Sequence, residues 1–224
     1  GKASYCMVTI DTIVAIATPN GESALAMLRL SGPLCGEICG SAFGRTSNPK
    51  TRHSYHGSYL SLEGDILDDV VYCFYENPQS FTGEDTLEIV CHGNPLIASN
   101  LLKDLVRRGC RQSDPGEFSR RAFLNGRMDL TQAEAIMELI QARSDKAIKA
   151  ANNQLRGAFG RQLNTFKERL LATIASIEAY IDFPEEDLPP EQKESHLAGI
   201  RKLNTYCSRL IASSQYTAPL RDGV

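Results

Sequence analysis

This sequence of 224 residues contains no tryptophan and none of the short motifs that mark phosphate-binding loops, zinc proteases or serine hydrolases. The G-x-x-x-x-G-K-[ST] spacing is absent, so we expect no GTP hydrolysis by these residues alone. The four histidines are scattered, with no H-E-x-x-H pair, and no G-x-S-x-G turn occurs. We therefore assign no catalytic residue and no metal ligand.

The sequence also lacks long apolar runs and paired cysteine motifs. No apolar run approaches the length of about 18 residues that a bilayer requires, and the first residues lack the apolar centre of a signal peptide. Seven cysteines occur, an odd number, without a C-x-x-C pair. Cys35 and Cys39 would share a helix face, but no further ligands lie nearby, so we interpret the cysteines as free thiols. These features predict a cytoplasmic protein without a membrane segment.

The composition is that of an ordinary globular protein. Apolar residues make up 42% and charged residues 23% of the chain, and its length allows one large or two small domains. The net charge of −3 gives no basic footprint for nucleic acid over the chain as a whole.

Strand patterns dominate the first half of the sequence. Short β-branched runs and alternating segments between Gly, Pro and Asn turns are typical of strands, and two of them flank a hairpin turn at 63–65. The predicted strands are 12–17, 25–30, 53–62, 68–75, 86–91 and 110–113. Helical patterns cover 33–43 and 93–108. We predict an α+β domain with a mixed, mostly antiparallel sheet.

The second half is helical almost throughout. A helical period of apolar residues runs from Thr131 to Asp182, and an uninterrupted helix of that length is rare, so we predict a break at the cap-like Ser144. Gly157 and Gly160 are weaker candidates for a break. A last helix is expected from about Pro190 to Ser213. The sequence thus predicts an all-α domain after the α+β domain.

The segment 114–140 joins these two parts. It contains two expected helix starts, separated by the helix stop Asn125-Gly126. The expected caps and their box partners are Asp114 with Glu117, and Thr131 with Glu134. Pro115 suits the first helical position.

Residues 115–136, PGEFSRRAFLNGRMDLTQAEAI, resemble the signature of the tRNA-modification GTPases called MnmE or TrmE. Three more stretches fit this family in the same order: LRLSG at 28–32, SFTGED at 80–85 with Leu87-Glu88 and His92-Gly93, and IDFP at 181–184. Four stretches in order make the resemblance specific over residues 11 to 187.

The resemblance implies a division into three parts. Residues 1–126 would be a dimerisation domain similar to the tetrahydrofolate-binding domain of aminomethyltransferases. Residues 127–221 would be the first part of a helical domain, and residues 222–224 the start of a GTP-binding domain that the sequence does not contain. GTP, magnesium and potassium would belong to that further domain.

The resemblance also implies ligands and partners. The first domain would bind 5-formyltetrahydrofolate or another reduced folate and form a homodimer. With the flavoprotein MnmG (GidA), the full protein would modify the wobble uridine of tRNA to a 5-carboxymethylaminomethyl or 5-aminomethyl form.

Three residues are candidates for the folate site. Glu88 matches the family position and could accept the paired donors of a pterin, since a carboxylate forms charge-assisted hydrogen bonds. Arg29 could pair a folate carboxylate or the pterin carbonyl, and Arg127 occupies a position where the family usually has Lys. Each also has a structural interpretation: a solvent-facing strand residue, a salt bridge and a helix-end cation, respectively.

Two other functions remain as alternatives. The chain could be a structural dimerisation module without a ligand. It could also be an independent folate-dependent aminomethyltransferase, which its length disfavours.

Overall fold

The computed structural model describes residues 11–45, 49–182 and 191–215. The chain divides into two compact units, residues 1–128 and 129–224. The strands of the described residues are β1 (Ile13–Ile16), β2 (Leu25–Ser31), β3 (Ser54–Leu60), β4 (Ile66–Tyr75), β5 (Thr86–His92) and β6 (Arg111–Gln112). The helices are α1 (Cys35–Ala42), α2 (Pro95–Arg107), α3 (Glu117–Leu124), α4 (Leu130–Gln141), α5 (Asp145–Leu155), α6 (Ala158–Asp182) and α7 (Glu191–Gln215). The predicted α+β part followed by an all-α part is confirmed.

The first unit contains a six-stranded sheet in the order β3-β4-β5-β2-β1-β6. Its neighbouring strands are antiparallel except for β1 and β6, which are parallel. The mixed, mostly antiparallel sheet is therefore as predicted, including the hairpin of β3 and β4 and the short strand at the edge.

Helices α1 and α2 pack on one face of this sheet and form the core with it. In β2 the side chains of Ala26, Leu28 and Leu30 point into this core, while Met27 and Arg29 lie on the opposite face. Burying one such leucine contributes about 1.5–3 kcal/mol. The alternation therefore fixes which side chains of each strand remain available on the other face, which we call the open face.

A buried polar cluster attaches α2 to the β3–β4 hairpin. The Tyr59 hydroxyl donates to Asp104 Oδ2 at 2.8 Å, and Arg108 Nε donates to the same oxygen at 2.7 Å. Burial, and then the hydrogen bond to Asp104, raise the pKa of Tyr59, so its phenol stays a neutral donor. The cluster fixes one edge of the core.

Helix α3 begins later than the sequence predicts. Its N-cap is Gly116 in the left-handed conformation, at φ 74°, and no side chain caps it, so Asp114 as the cap and Pro115 as the first helical residue are wrong. Half of the expected box is present, because the Asp114 N–H donates to Glu117 Oε2 at 2.9 Å. A glycine adopts the left-handed conformation without strain, which makes this start possible.

The second helical start is also displaced. The cap of α4 is Asp129, with Gln132 completing the capping box, rather than Thr131 with Glu134. Asp129 is the N-cap because its carboxylate accepts hydrogen bonds from both the Gln132 N–H and the Thr131 hydroxyl. The chain therefore enters α4 two residues earlier than predicted.

Two breaks divide the long helical segment of the second unit. The predicted break at Ser144 is confirmed, since its hydroxyl accepts from the Ala147 N–H and caps α5. Gly157 forms a second break before α6, at φ 75°. Gly160 lies inside α6, where a Cβ would come within 2.3 Å of Asp129 Oδ2. Gly160 is thus a site of close approach and not a break.

The last helices agree with the sequence pattern. Helix α7, at Glu191–Gln215, lies within two residues of the predicted helix 190–213 at each end. Phe166 of α6 stacks on Tyr206 of α7, with the ring centres 6.0 Å apart. The expected stop at Phe183-Pro184 and residues 222–224 lie outside the described residues. In the described ranges, no helix combines the length and apolarity needed to cross a membrane.

Candidate functional site

The open face of the sheet brings polar side chains of three strands into one row. Arg29 of β2 is paired in register with Glu88 of β5, and Glu88 is paired with Cys73 of β4. Side chains directly opposite each other on antiparallel strands lie on the same face, about 5 Å apart at Cβ. The three side chains therefore form a continuous strip in the middle of the sheet.

Arg29 and Glu88 form an ion pair on this strip. Arg29 Nε donates to the Glu88 carboxylate oxygen Oε1 at 2.9 Å, and the NH2 group of Arg29 lies 2.7 Å from the same oxygen. Their side chains are 26% and 21% exposed, so the pair is partly shielded from water but still accessible. Two of the sequence-predicted site residues thus meet directly.

The second oxygen of Glu88 is less occupied than the first. The Tyr75 hydroxyl donates to Oε2 at 3.2 Å, the longest hydrogen bond of the group. The pKa of Tyr75 is raised, first by its hydrogen bond to Cys73, then by burial and the Glu88 charge, so the phenol stays protonated. A carboxylate oxygen offers about two acceptor positions, and among the described residues Oε2 accepts only from Tyr75, which leaves one position for a further donor.

An aromatic ring borders the ion pair. The Arg29 guanidinium lies over the Phe81 ring, 5.4 Å from its centre, and Phe81 is 38% exposed. Such a cation–π contact contributes about 0.5–1 kcal/mol at exposed sites. Phe81 belongs to residues 80–85, the last part of the segment 76–85 that connects β4 to β5, and we call these residues the 80–85 loop.

Hydrogen bonds inside the 80–85 loop define its shape. The Ser80 hydroxyl donates to the Glu84 carbonyl at 2.5 Å and accepts from the Gly83 N–H at 2.9 Å. Gly83 has a φ of 79°, and a Cβ there would lie 3.0 Å from Arg127 Cγ. A side chain at this position would therefore be both strained and crowded.

Arg127 borders the same loop at Gly83. Its side chain packs against Gly83, it is exposed, and it makes no hydrogen bond or ion pair with any described residue. The structure does not place it in contact with Arg29 or Glu88. Of the three predicted residues, two thus form a direct ion pair, and the third, Arg127, borders the loop whose Phe81 packs on Arg29.

Sequence reasoning missed the buried Arg121. Its guanidinium donates to Asp11 Oδ1 at 2.8 Å, to Glu84 Oε2 at 3.2 Å and to Glu117 Oε1 at 3.2 Å, with its side chain only 2% exposed. Its Nε has no partner in the described residues. An arginine in an amphipathic helix is normally solvated, so nothing in the sequence indicated this burial.

Glu117 joins a second cation to this network. It is nearly fully buried and accepts from Arg111 NH2 at 2.6 Å. Foremost through this bond to Arg111, the pKa of Glu117 falls from its ordinary value of 4.5 to about 2. The carboxylate therefore stays charged at neutral pH and holds α3 against the end of β6.

Comparison with known families covers both units. The family described as the GTP-binding protein TrmE N-terminus matches residues 12–127. The family described as the MnmE helical domain matches residues 130–224. Together they extend over almost the whole chain.

Curated relatives share this similarity. The tRNA modification GTPase MnmE of Opitutus terrae is 50% identical over 214 residues, which are 96% of this chain and 47% of the relative. Proteins of the same name from Akkermansia muciniphila and Aquifex aeolicus are 43% and 40% identical, over 95% and 96% of this chain and 48% of each relative. The chain spans about half the length of the curated relatives it matches.

Proposed function

Since this chain belongs to the MnmE family of tRNA modification GTPases, we propose that its first unit binds a reduced folate such as 5-formyltetrahydrofolate. The residues that would hold the folate are Arg29, Glu88 and Arg127. The longer protein would hydrolyse GTP, with magnesium and potassium, outside these 224 residues. With MnmG it would modify the wobble uridine of tRNA in the cytoplasm.

The adjacency of Arg29 and Glu88 carries the folate proposal. A pterin presents an exocyclic amine, a ring N–H and a carbonyl in a row, which are two donors followed by an acceptor. Glu88 offers acceptors, and in the described residues Arg29 donates one of its five N–H groups, that of Nε, to Glu88. A carboxylate beside a guanidinium on a half-exposed strip therefore complements the edge of a pterin.

Binding would rearrange the hydrogen bonds of Glu88. The pterin donors need two acceptor positions, and one is open while another holds the long bond from Tyr75. The Arg29 contacts with Oε1 are shorter and can remain. We expect Tyr75 to give up its bond, because a pterin N–H replaces it with another hydrogen bond to the same carboxylate and the exchange costs little.

A structural role is the second candidate, and one observation favours it. Glu88 already has an ion-pair partner without any ligand, which is what a purely structural pair needs. Isothermal titration of the chain with 5-formyltetrahydrofolate separates the two functions. We expect saturable binding of one folate per chain, and no binding at millimolar folate would contradict the folate site.

We also propose that the chain forms a homodimer through its first unit, as the family resemblance implies. Light scattering at high micromolar concentration should then give about twice the chain mass of 24.6 kDa. A single species at the mass of one chain would contradict this arrangement.

A further inference from the structure

The 80–85 loop is attached to the rest of the first unit by groups distinct from the Arg29–Glu88 pair. Thr82 and Ser31 are fully buried, and their hydroxyls are 2.6 Å apart. Glu84 Oε2 accepts from the Ser31 hydroxyl at 2.7 Å and from Arg121 NH1 at 3.2 Å. None of the hydrogen bonds of Arg121 in the described residues reaches Arg29 or Glu88.

Building on the proposed folate site, we infer that Arg121 and Glu84 are positioning residues. They hold the 80–85 loop so that Phe81 stays over the Arg29 guanidinium and Gly83 stays against Arg127. Neither residue needs to touch the folate for this role.

The loop and Arg29 are fixed to the same strand. Ser31 lies two residues after Arg29 in β2, so both side chains are on the open face. Because Ser31 bonds Thr82 and Glu84, the loop is held relative to the strand that carries Arg29. The distance between Phe81 and Arg29 therefore depends on the bonds of Ser31.

Helix α3 and its C-cap also bind the loop, through Arg121 and Asn125. Asn125 Nδ2 donates to the Thr82 carbonyl at 2.8 Å, and Arg121, four residues earlier, bonds Glu84. Residues four apart share one face of a helix, so this face binds two points of the loop. Arg127 follows two residues later, so the same helix end places both the loop and the third candidate residue.

The charge on Glu84 is central to this arrangement. An ionised acceptor bonds a guanidinium about twice as strongly as a neutral one, and the Arg121 side chain is only 2% exposed. Glu84→Gln keeps the shape but would set an amide against Arg121 and Ser31. We expect the loop to loosen while the sheet stays folded.

The absence of tryptophan supplies a direct reporter of the loop. In an F81W background the indole retains the contact with Arg29, since tryptophan is the best partner for a cation. Glu84→Gln and Arg121→Lys should shift its emission to the red and increase its quenching by acrylamide, without folate present. Arg120→Lys is the control, because the Arg120 side chain is 63% exposed and its one ion pair among the described residues is with Glu117, at 3.5 Å.

Titration with 5-formyltetrahydrofolate, without the F81W substitution, completes the test. Affinity should fall about tenfold in Glu84→Gln and Arg121→Lys and remain unchanged in Arg120→Lys. An unchanged F81W signal in both variants, or a loosened loop with full affinity, would overturn the positioning role. If the chain without substitutions binds no folate, the proposed function itself is wrong. The fluorescence experiment contains no folate, so its outcome tests only the positioning of the loop.

Thermal unfolding distinguishes positioning from a merely structural role. A structural role would lower the melting temperature and leave the F81W emission of the folded chain unchanged. A positioning role changes that emission well below the melting temperature. The first result in both variants would contradict the inference.

Discussion

Two nitrogens of Arg29, Nε at 2.9 Å and NH2 at 2.7 Å, lie against a single oxygen of Glu88, Oε1, while Oε2 accepts the longer bond from Tyr75. The pair is therefore asymmetric. One oxygen holds the arginine in place, and the other is the one from which a ligand can displace a neighbour. This asymmetry gives the first prediction its form.

Glu88→Gln should weaken binding of 5-formyltetrahydrofolate by roughly ten- to a hundredfold. The amide keeps the shape of the side chain but loses the charge, and a hydrogen bond to a charged acceptor contributes about 1.5–3 kcal/mol. Isothermal titration measures the change. The matched control is Glu63→Gln. It removes a surface ion pair between Glu63, in the turn of the β3–β4 hairpin, and Arg107 of α2, and it should leave folate affinity unaltered.

The melting temperature decides between the two roles of Glu88. If Glu88→Gln lowers stability and leaves folate affinity unchanged, Glu88 is a structural partner of Arg29 and its assignment to the pterin is wrong.

Folate should protect Cys73 from alkylation. Cys73 is partly exposed and adjacent to Glu88 in the strip, so a bound pterin would cover it. Mass spectrometry after brief treatment with iodoacetamide measures the labelled fraction with and without folate. Cys207, also partly exposed but in the second unit, is the control, and equal labelling of Cys73 in both samples would argue against the proposed location.

Arg127→Ala should lower folate affinity without lowering stability. Its side chain has no hydrogen bond or ion pair to the described residues, so its removal leaves no group unsatisfied. Losing one exposed cation near an anionic ligand should cost about two- to fivefold in affinity. The control is Arg120→Ala on the preceding helix, and equal affinities of the two variants would remove Arg127 from the site.

Gly83→Ala should destabilise the first unit more than Gly64→Ala. Both glycines have positive φ, at 79° and 91°, where a side chain costs about 1–2 kcal/mol. Only at Gly83 would the new Cβ meet neighbours, with Arg127 Cγ at 3.0 Å, while Gly64 has open space. Urea unfolding gives both values, and their difference measures the crowding by Arg127 and by Asn125, whose Cβ would lie 3.1 Å away. Equal losses would mean that both neighbours move aside freely.

Stability should fall as the pH drops from about 4.5 to about 2, because of Glu117. The pKa of this carboxyl is lower in the folded chain than in the unfolded chain, chiefly through its bond to Arg111. Its contribution is therefore complete above the unfolded pKa and is lost as the folded chain takes up the proton. A shift of this size corresponds to about 3 kcal/mol of unfolding free energy.

Urea titrations at several pH values test this dependence. In Glu117→Gln the loss of stability over the same pH interval should be smaller by that amount, although the variant is less stable at neutral pH. Parallel curves for the two chains would show that Glu117 is not responsible.

The sequence predicted the strands of the first unit well because alternation and turns are local signals. It could not predict that Arg29 meets Glu88, since 59 positions separate them and only the register of β2 and β5 joins them. The start of α3 was misplaced because a left-handed Gly116 leaves no side chain as a signal.

The burial of Arg121 shows a different limit. Its partners Asp11 and Glu84 come from distant parts of the chain, and a charge on a helix gives no local sign of being enclosed. Arg127 was recognised as a candidate, but its contact with Gly83 depends on how the loop folds back, which residue spacing does not encode.

The bond from Arg121 to Asp11 spans 110 positions, and β1 gains its outer neighbour only when β6 pairs with it. A chain leaving the ribosome therefore exposes an unpaired edge of β1 until residues 111–121 have emerged. Asp11 likewise has no ion pair with Arg111 or Arg121 until those residues have been synthesised. The first unit thus cannot mature segment by segment during synthesis, and its folate site would be completed only after almost the entire unit has been translated.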